Sequence, residues 1–265
     1  MPTESIRTRY EVVRSPRRSR WYQVAADAAT DLLFPPRCTL CGNEFAARPG
    51  APLLCGSCDT QLAIERRPTC PRCAVVCATS DLPRGNCGRC RSLKLPFGAA
   101  RTIGPYQETL RQAVLRAKHA GHESLAATLG ERLAEVVQQS PFDRPADLVV
   151  PVPMHWLKRL WRGTNPAQSV AQALARRLEL PCANGLLVCL RFLRRQATLT
   201  PAERRRNVRG AFRTSWRWNV KGKTILLVDD VMTTGATAGE ATRALLAAGA
   251  AVVNVATVAR STPDF

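Results

Sequence analysis

Acidic residues are scarce in this chain. Asp and Glu number 20 against 39 Lys and Arg over 265 residues, giving a formal net charge of +19 and a pI near 10.5. Such a balance favours anionic partners: nucleic acid, phosphorylated small molecules or an acidic surface. The bland alternative is compositional drift in an Arg- and Ala-rich sequence. Long apolar runs are missing as well. No stretch approaches 18 uncharged apolar residues, which argues against a membrane-spanning helix. The first twenty residues, MPTESIRTRYEVVRSPRRSR, hold six arginines and no apolar segment of the kind a secretory signal needs. Residues 1–21 are therefore read as a basic tail outside the fold, with an organelle transit peptide as the alternative. Histidine is rare too: His119, His122 and His155 are isolated, and HAGH lacks the spacing of a helical HExxH metal site. A Walker A ending and a GxGxxG fingerprint are both absent.

What remains is a chain with 45% apolar residues, long enough for one sizeable core and a small module. Cysteine is the exception to the pattern of scarcity. Nine of eleven lie between Cys38 and Cys90. Without an export signal the expected location is the reducing cytoplasm, where clustered thiols point to metal and not to disulfides. Eight of them form CxxC pairs: Cys38/Cys41, Cys55/Cys58, Cys70/Cys73 and Cys87/Cys90. A two-residue gap lets both thiolates face one tetrahedral ion, and four thiolates satisfy a structural Zn²⁺ with no open position for catalysis. Two ions are expected. Sequential pairing takes Cys38, Cys41, Cys55 and Cys58 for one and Cys70, Cys73, Cys87 and Cys90 for the other; interleaved pairing, as in cross-brace fingers, is not excluded by the sequence. Cys77 is a spare thiol, and Cys182 and Cys189 read as small apolar residues.

The composition changes near residue 96. YQVAADAATDLLFPP (22–36) reads as a helix stopped by two prolines, and residues 22–95 as that helix plus the cysteine module. Residues 96–265 alternate between strands and helices. DLVVPVP (147–153), GLLVCLRF (185–192), KTILLVDD (223–230) and AVVNVATVAR (251–260) read as strands. Helices are expected at SLAATLGERLAEVVQQ, with Leu125, Leu129, Leu133 and Val136 on one stripe, at 165–178 after an Asn165 cap with Pro166 at its first position, and at 236–249, ended by Gly249. Apolar strands alternating with helices argue for a parallel sheet covered on both faces.

ILLVDDVMTTGAT (225–237) raises the functional question, because two adjacent acids follow four apolar residues in a strongly basic chain. Ligands of open parallel sheets bind beyond the carboxyl ends of the strands. A following helix brings unpaired N–H groups and a positive dipole end to that place. Thr233, Thr234, Gly235, Ala236 and Thr237 let the backbone wrap a phosphate, while Asp229 and Asp230 accept hydrogen bonds from ribose hydroxyls. The bland alternative is an Asp-Asp turn capping a helix.

VDDVMTTGAT resembles the phosphoribosyl-pyrophosphate (PRPP) loop of type I phosphoribosyltransferases. With LLFPPRCTLC, the CPRC and CGRC knuckles, AKHAGHESLAATLG, DLVVPVPMHWLKRLWRGTNPAQSVAQALARRL and RRQATLTPAERRRNVRGAF, the order of motifs is similar to that of the ComF family of competence-associated proteins, a double zinc ribbon joined to such a domain. The resemblance implies that Asp229 and Asp230 hold the ribose hydroxyls of PRPP and residues 233–237 its 5-phosphate. It implies that Pro153, Met154 and His155 lie in a pyrophosphate loop, with Gln196, Arg204 and Asn207 in a mobile hood. Lys118, Arg159, Arg162 and Arg204 supply positive charge for the leaving group, and Mg²⁺ arrives with PRPP. The chain departs from the family pattern at His119, where an aromatic is usual, and at Arg162–Pro166, which reads RGTNP in place of RGFNQ.

Two functions follow. One is an enzyme that binds PRPP or a ribonucleotide and transfers phosphoribosyl groups. The other is a zinc-ribbon protein that binds single-stranded DNA, or a scaffold for a helicase-like competence motor. The first rests on the acid pair and its loop; the second rests on the basic surface, the knuckles and the association of the resembled family with DNA uptake.

Overall fold

The computed structural model describes residues 35–46, 53–78, 82, 86–88, 90, 95–193 and 199–261. The basic tail, nearly all of the expected helix over 22–36, and Gln196 lie outside the described residues. Among those described, no helix is long and apolar enough to cross a membrane.

Two-sided burial dictates the main sheet. Strand β1 (Ala100–Pro105), β2 (Leu148–Pro151), β5 (Thr224–Met232) and β6 (Val252–Arg260) pair in parallel in the order β1-β6-β5-β2. Successive residues of β2 and β5 enter opposite cores. Val149, Leu226 and Val228 face one side, and Leu148, Val150, Ile225 and Leu227 face the other. On the first side they meet Leu125, Leu129 and Leu133 of helix α3 (Glu123–Gln139), together with Val170 and Leu174 of α5 (Pro166–Arg177). Here too the helix α2 (Glu108–Arg116) contributes Leu110, Ala113 and Val114. On the second side lie Ala238, Ala241 and Leu245 of α7 (Ala236–Ala247). The capping prediction at α5 holds in outline. Asn165 is the N-cap with Pro166 at the first turn, although its side-chain amide donates to the Val152 carbonyl at 3.4 Å and not to its own helix.

The cysteine module adds α1 (Gly56–Gln61) and joins both cores. Leu40, Leu54 and Leu62 of the first ribbon pack with α2 and α3, whereas Ala74 of the second packs with Phe97 and Met232. The repeat seen in sequence has a backbone counterpart: Gly42 and Ala74, each following the second cysteine of a knuckle, both adopt positive φ, +82° and +56°.

Three expectations are corrected. The strand expected over 185–192 shortens to β3 (Leu187–Cys189) and leaves the main sheet, pairing antiparallel with β4 (Phe212–Thr214). Its Val188, Leu190 and Phe192 are exposed, so the segment buries one face only and cannot sit in a covered parallel sheet. The third strand does not stop at Asp230; it continues through Met232, with Val231 and Met232 paired to β6. The first ends at Pro151, and 152–155 become loop. Short helices not anticipated from the sequence include, besides α1, α4 (Trp156–Arg162) and α6 (Pro201–Val208). The latter is started by a capping box in which Thr200 and Glu203 exchange hydrogen bonds.

At Gly130, α3 and α5 approach closely. A Cβ there would stand 2.4 Å from the Val170 carbonyl oxygen and 2.8 Å from the Ala173 Cβ. Replacing a helical glycine by alanine ordinarily gains up to about 1 kcal/mol, but overpacking against backbone costs about 1–3 kcal/mol. Gly130→Ala is therefore expected to lower stability in denaturant titration. A stabilised variant would show that the helices separate without cost.

Candidate functional site

The eight paired cysteines form two clusters, Cys38/Cys41/Cys55/Cys58 and Cys70/Cys73/Cys87/Cys90, each with its sulfurs within 4.8 Å of one another. The pairing is sequential, which closes the alternative left open by spacing. Across the clusters the Sγ separations are 3.7 Å for Cys41–Cys55, 3.8 Å for Cys70–Cys90 and 3.7 Å for Cys73–Cys87. Sulfurs at about 2.3 Å from a tetrahedral Zn²⁺ stand roughly 3.8 Å apart, whereas a disulfide needs about 2.05 Å. The donor sets thus fit structural zinc. Their thiols cannot all ionise unaided. The hydrogen bond from Cys73 pulls Cys70 down to about 4, the same bond and burial push Cys73 up, and burial pushes Cys90 up to about 12. A divalent cation is what lets four thiolates share so small a volume.

At the carboxyl end of the sheet lies a cavity of about 530 Å³. The end of β2 leads into it through Pro153, Met154 and His155; β5 brings Asp229 and Asp230; the turn into α7 brings Thr233 to Thr237. Lys118, just past the end of α2, Arg162 at the end of α4, and Arg204 on α6 complete the predicted set that lines it. Arg159 and Asn207 do not line it: the Arg159 side chain is exposed outside the cavity wall, and the Asn207 carbonyl accepts from Arg191 at 3.1 Å. Tyr106, Lys158, Asn165, Cys189 and Ser261 line the cavity without having been singled out for it. For Lys158 a signal existed, since it shares one arc of α4 with Arg162. For Tyr106 and Ser261, at the ends of β1 and β6, none did. Cys189, expected as mere filler, is buried but borders the cavity.

The acid pair is electrostatically asymmetric. The Lys118 ammonium lies 3.0 Å from Asp230, each side chain a quarter exposed. Burial opposes ionisation of Asp230, but the charge and hydrogen bond of Lys118 outweigh it and hold this carboxyl below the ordinary range. Asp229 goes the other way. Burial, reinforced by the charge of Asp230, pushes it well above the carboxylate range. Backbone amides turn back onto both: Asp230 N–H donates to Asp229 Oδ1 at 2.9 Å and Val231 N–H to Asp230 Oδ1 at 2.7 Å.

Beyond the acids, Gly235 caps α7 with φ +77°, a conformation L side chains rarely adopt. The Thr234 hydroxyl accepts from the Ala236 amide at 3.3 Å. The N-terminus of this twelve-residue helix borders the cavity, a favourable place for an anion.

Comparison with known proteins agrees with this architecture. The double zinc ribbon domain family matches residues 29–91 and the phosphoribosyl transferase domain family residues 164–262. DNA utilization protein YhgH of Escherichia coli (strain K12) is 31% identical over 228 residues, covering 84% of this chain and 96% of its own. Competence protein F of Haemophilus influenzae is 29% identical over 232 residues, covering 85% and 97%. Among solved structures, glutamine PRPP amidotransferase from B. subtilis, complexed with ADP and GMP, is 27% identical with a TM-score of 0.36, over 51% of this chain and 26% of that one. The fold is a phosphoribosyltransferase-like parallel sheet flanked by helices, preceded by a double zinc ribbon.

The asymmetry of the acids has opposite consequences for stability. Asp229 is raised in the fold above its unfolded value of about 3.9, so the fold is favoured below that value and loses stability as pH rises through the folded one. Asp230 is depressed, so its contribution is present above the unfolded value and lost on acidification. In ligand-free protein at pH 7, Asp229→Asn is expected to melt higher, by about 2–4 °C for each kcal/mol relieved, with the gain shrinking towards pH 4. Asp230→Asn is expected to melt lower. Thermal melts at both pH values check the pair of signs.

Proposed function

The chain belongs to the ComF family of competence-associated proteins, and from that premise we propose that it binds PRPP or a ribonucleotide at this cavity and transfers the phosphoribosyl group. The observation that carries the reading is convergence. Two carboxylates, a hydroxyl-rich turn at a helix N-terminus and a short loop after β2 surround one cavity at the carboxyl end of a parallel sheet. These are the three polar parts that a sugar with phosphate at one end and pyrophosphate at the other requires.

In this reading Asp229 and Asp230 accept the ribose hydroxyls, residues 233–237 hold the 5-phosphate, and the 153–155 loop offers its amides to the pyrophosphate. Lys118, Arg162 and Arg204, with Lys158 beside them, supply cations where the leaving group gathers charge. Phosphoribosyl transfer breaks the bond between C1 and pyrophosphate while positive charge builds on the ribose ring. The residues work by positioning and by preorganised charge, not by covalent chemistry. Mg²⁺ bound with PRPP supplies charge neutralisation on the phosphate oxygens.

Calorimetric titration of Mg-PRPP into the zinc-loaded protein tests this. Binding is expected in the intact protein and should weaken at least tenfold when Asp229 and Asp230 are both replaced by Asn. Heat of binding that survives the double replacement would locate the ligand elsewhere, and none in the intact protein would remove the transferase reading.

A second reading, nucleic-acid binding, is favoured by α4. Wound at 3.6 residues per turn, Trp156, Leu157, Leu160 and Trp161 share one arc, and Lys158, Arg159 and Arg162 the other. Yet no residue of this helix is buried, and Trp156 and Trp161 are 65% and 80% exposed. Exposed aromatic faces beside cations are a stacking platform for single-stranded bases. The names of the relatives, DNA utilization and competence, accord with such handling. An oligonucleotide should bind with affinity that falls steeply as salt rises. Trp156→Ala/Trp161→Ala should weaken it about tenfold or more, at roughly 1–3 kcal/mol per stacked base. Fluorescence anisotropy reads both, and binding indifferent to salt would sink this reading.

A further inference from the structure

Arg260, the last residue of β6, is 4% exposed. Burying a guanidinium takes five N–H donors out of water, and they need acceptors inside the protein. Here the acceptors come from two distant parts of the chain. Nε donates to the Cys73 carbonyl at 2.8 Å. Nη1 donates to the Met232 carbonyl at 2.8 Å and also to the carbonyls of Thr233 and Ser261. Cys73 is a member of the second thiol cluster. Met232 and Thr233 are the residues that carry β5 into the 233–237 turn. One rigid planar group therefore spans a zinc knuckle and the start of the phosphate loop.

A second set of contacts links the same two places. Arg72, inside the CPRC knuckle, donates from Nη2 to the Leu95 carbonyl at 2.7 Å and from Nη1 to the Gly98 carbonyl. The segment it holds packs on the loop glycine. A Cβ at Gly235 would lie 3.4 Å from Leu95 Cδ2 and 3.7 Å from Phe97 Cε1. Ala74, directly after Cys73, is buried in one core cluster with Phe97 and Met232. The first ribbon touches a different part of the site. Its Leu40 carbonyl accepts from Arg116, two residues before Lys118.

We infer that the second ribbon is a strap on the phosphate loop, with Arg260 the positioning residue whose guanidinium ties the order of the Cys70–Cys90 site to residues 232–237. The inference rests on the proposed reading of that loop as a phosphate cradle. When four thiolates are held by one ion, the Cys73 backbone is fixed and its carbonyl stands ready for Nε. When the knuckle relaxes, a buried cationic donor loses its acceptor. An unsatisfied group of that kind is costly enough to move its neighbours, which here are the carbonyls at the root of the loop. Zinc at this site, chemically inert, thereby bears on ligand affinity without touching the ligand.

The test is a cycle in the full chain with Arg260→Met, Cys90→Ser and both together, read by hydrogen exchange of the amides at 232–237 and by Mg-PRPP titration. Arg260→Met should keep two zinc ions per chain by atomic mass analysis, yet exchange at 232–237 at least tenfold faster and bind Mg-PRPP at least tenfold more weakly. Cys90→Ser should affect the loop at least as much, since it slackens the Arg72 contacts too, and the double variant should be no worse than Cys90→Ser alone, because the tie through Arg260 is already lost once the knuckle relaxes. Arg260→Lys, whose single ammonium reaches one carbonyl group at a time, should fall between wild type and Met, and it decides the matter if the Met variant does not fold. Additive effects in the cycle, or a loop that exchanges as in wild type, would overturn the strap. Absence of Mg-PRPP binding in the wild type would count against the transferase reading alone, since the exchange cycle decides the strap without any ligand.

Discussion

Asp229 and Asp230 repel one another on a strand whose neighbours on both sides are apolar, and the Lys118 ammonium 3.0 Å from Asp230 is what makes the pair tolerable. Two like charges at adjacent positions on β5 cannot both be stabilised by one lysine. The outcome is a split, with the carboxyl beside Lys118 held below the ordinary range and its neighbour pushed above it. Everything nearby follows from keeping this arrangement in place. The acids sit on a central strand, fixed by β2 on one side and β6 on the other. Lys118 is delivered by the turn after α2, and α2 is in turn anchored by Leu110, Ala113 and Val114 in the core. A loop-borne acid pair would move away from its partner; a strand-borne pair stays and leaves a site already charged for a polar ligand.

The ribbons extend the same logic. Each is too small to bury a core of its own, and thiolate clusters substitute for that core. They are not appended at a distance, however. One ribbon contributes leucines to the core on the α3 face of the sheet, and the other contributes Ala74 to the α7 face, so the module embraces β1 from both sides. The Arg132–Asp59 ion pair between α3 and α1 adds a polar tie on the first side, and Arg260 one on the second. The compositional break near residue 96 thus marks a change in how the chain is stabilised, while the apolar contacts run straight across it.

Much of this was legible in the sequence because covered parallel strands and amphipathic helices leave strong periodic traces. ILLV and LVVP are apolar at every position, as suits a strand buried on both faces, and Leu125, Leu129 and Leu133 repeat at helical spacing. The cysteine clusters were legible down to their ligands, though not their pairing, because CxxC fixes local geometry and says nothing about which knuckles meet. GLLVCLRF is where the same rule fails: the run is apolar, yet Val188, Leu190 and Phe192 face solvent. The start of α6 is written in Thr200-Pro-Ala-Glu203, a capping box with proline in the first turn. Arg260 left no trace at all. Its role depends on carbonyls 187 and 28 residues away in sequence, and backbone acceptors have no residue identity to read.

The charge of the chain, finally, acquires a direction. A helix such as α4 would ordinarily turn its Trp and Leu arc inward and its cations out. Here Lys158 and Arg162 border the cavity, and Trp156, Leu160 and Trp161 stand in solvent. Gly163, at φ +73°, ends the helix after only seven residues and returns the chain to α5, so α4 has no length with which to reach a hydrophobic seat. Its inward arc is chosen by the cavity. Four cations, Lys118, Lys158, Arg162 and Arg204, there surround two carboxylates, one of which is drawn towards neutrality. That leaves a positive field focused where strands and helix N-terminus end, and a ligand of several negative charges is what such a field selects. The excess of basic residues is in this respect not diffuse: part of it is built into the walls of one cavity, and the acids at its floor give that cavity its polarity.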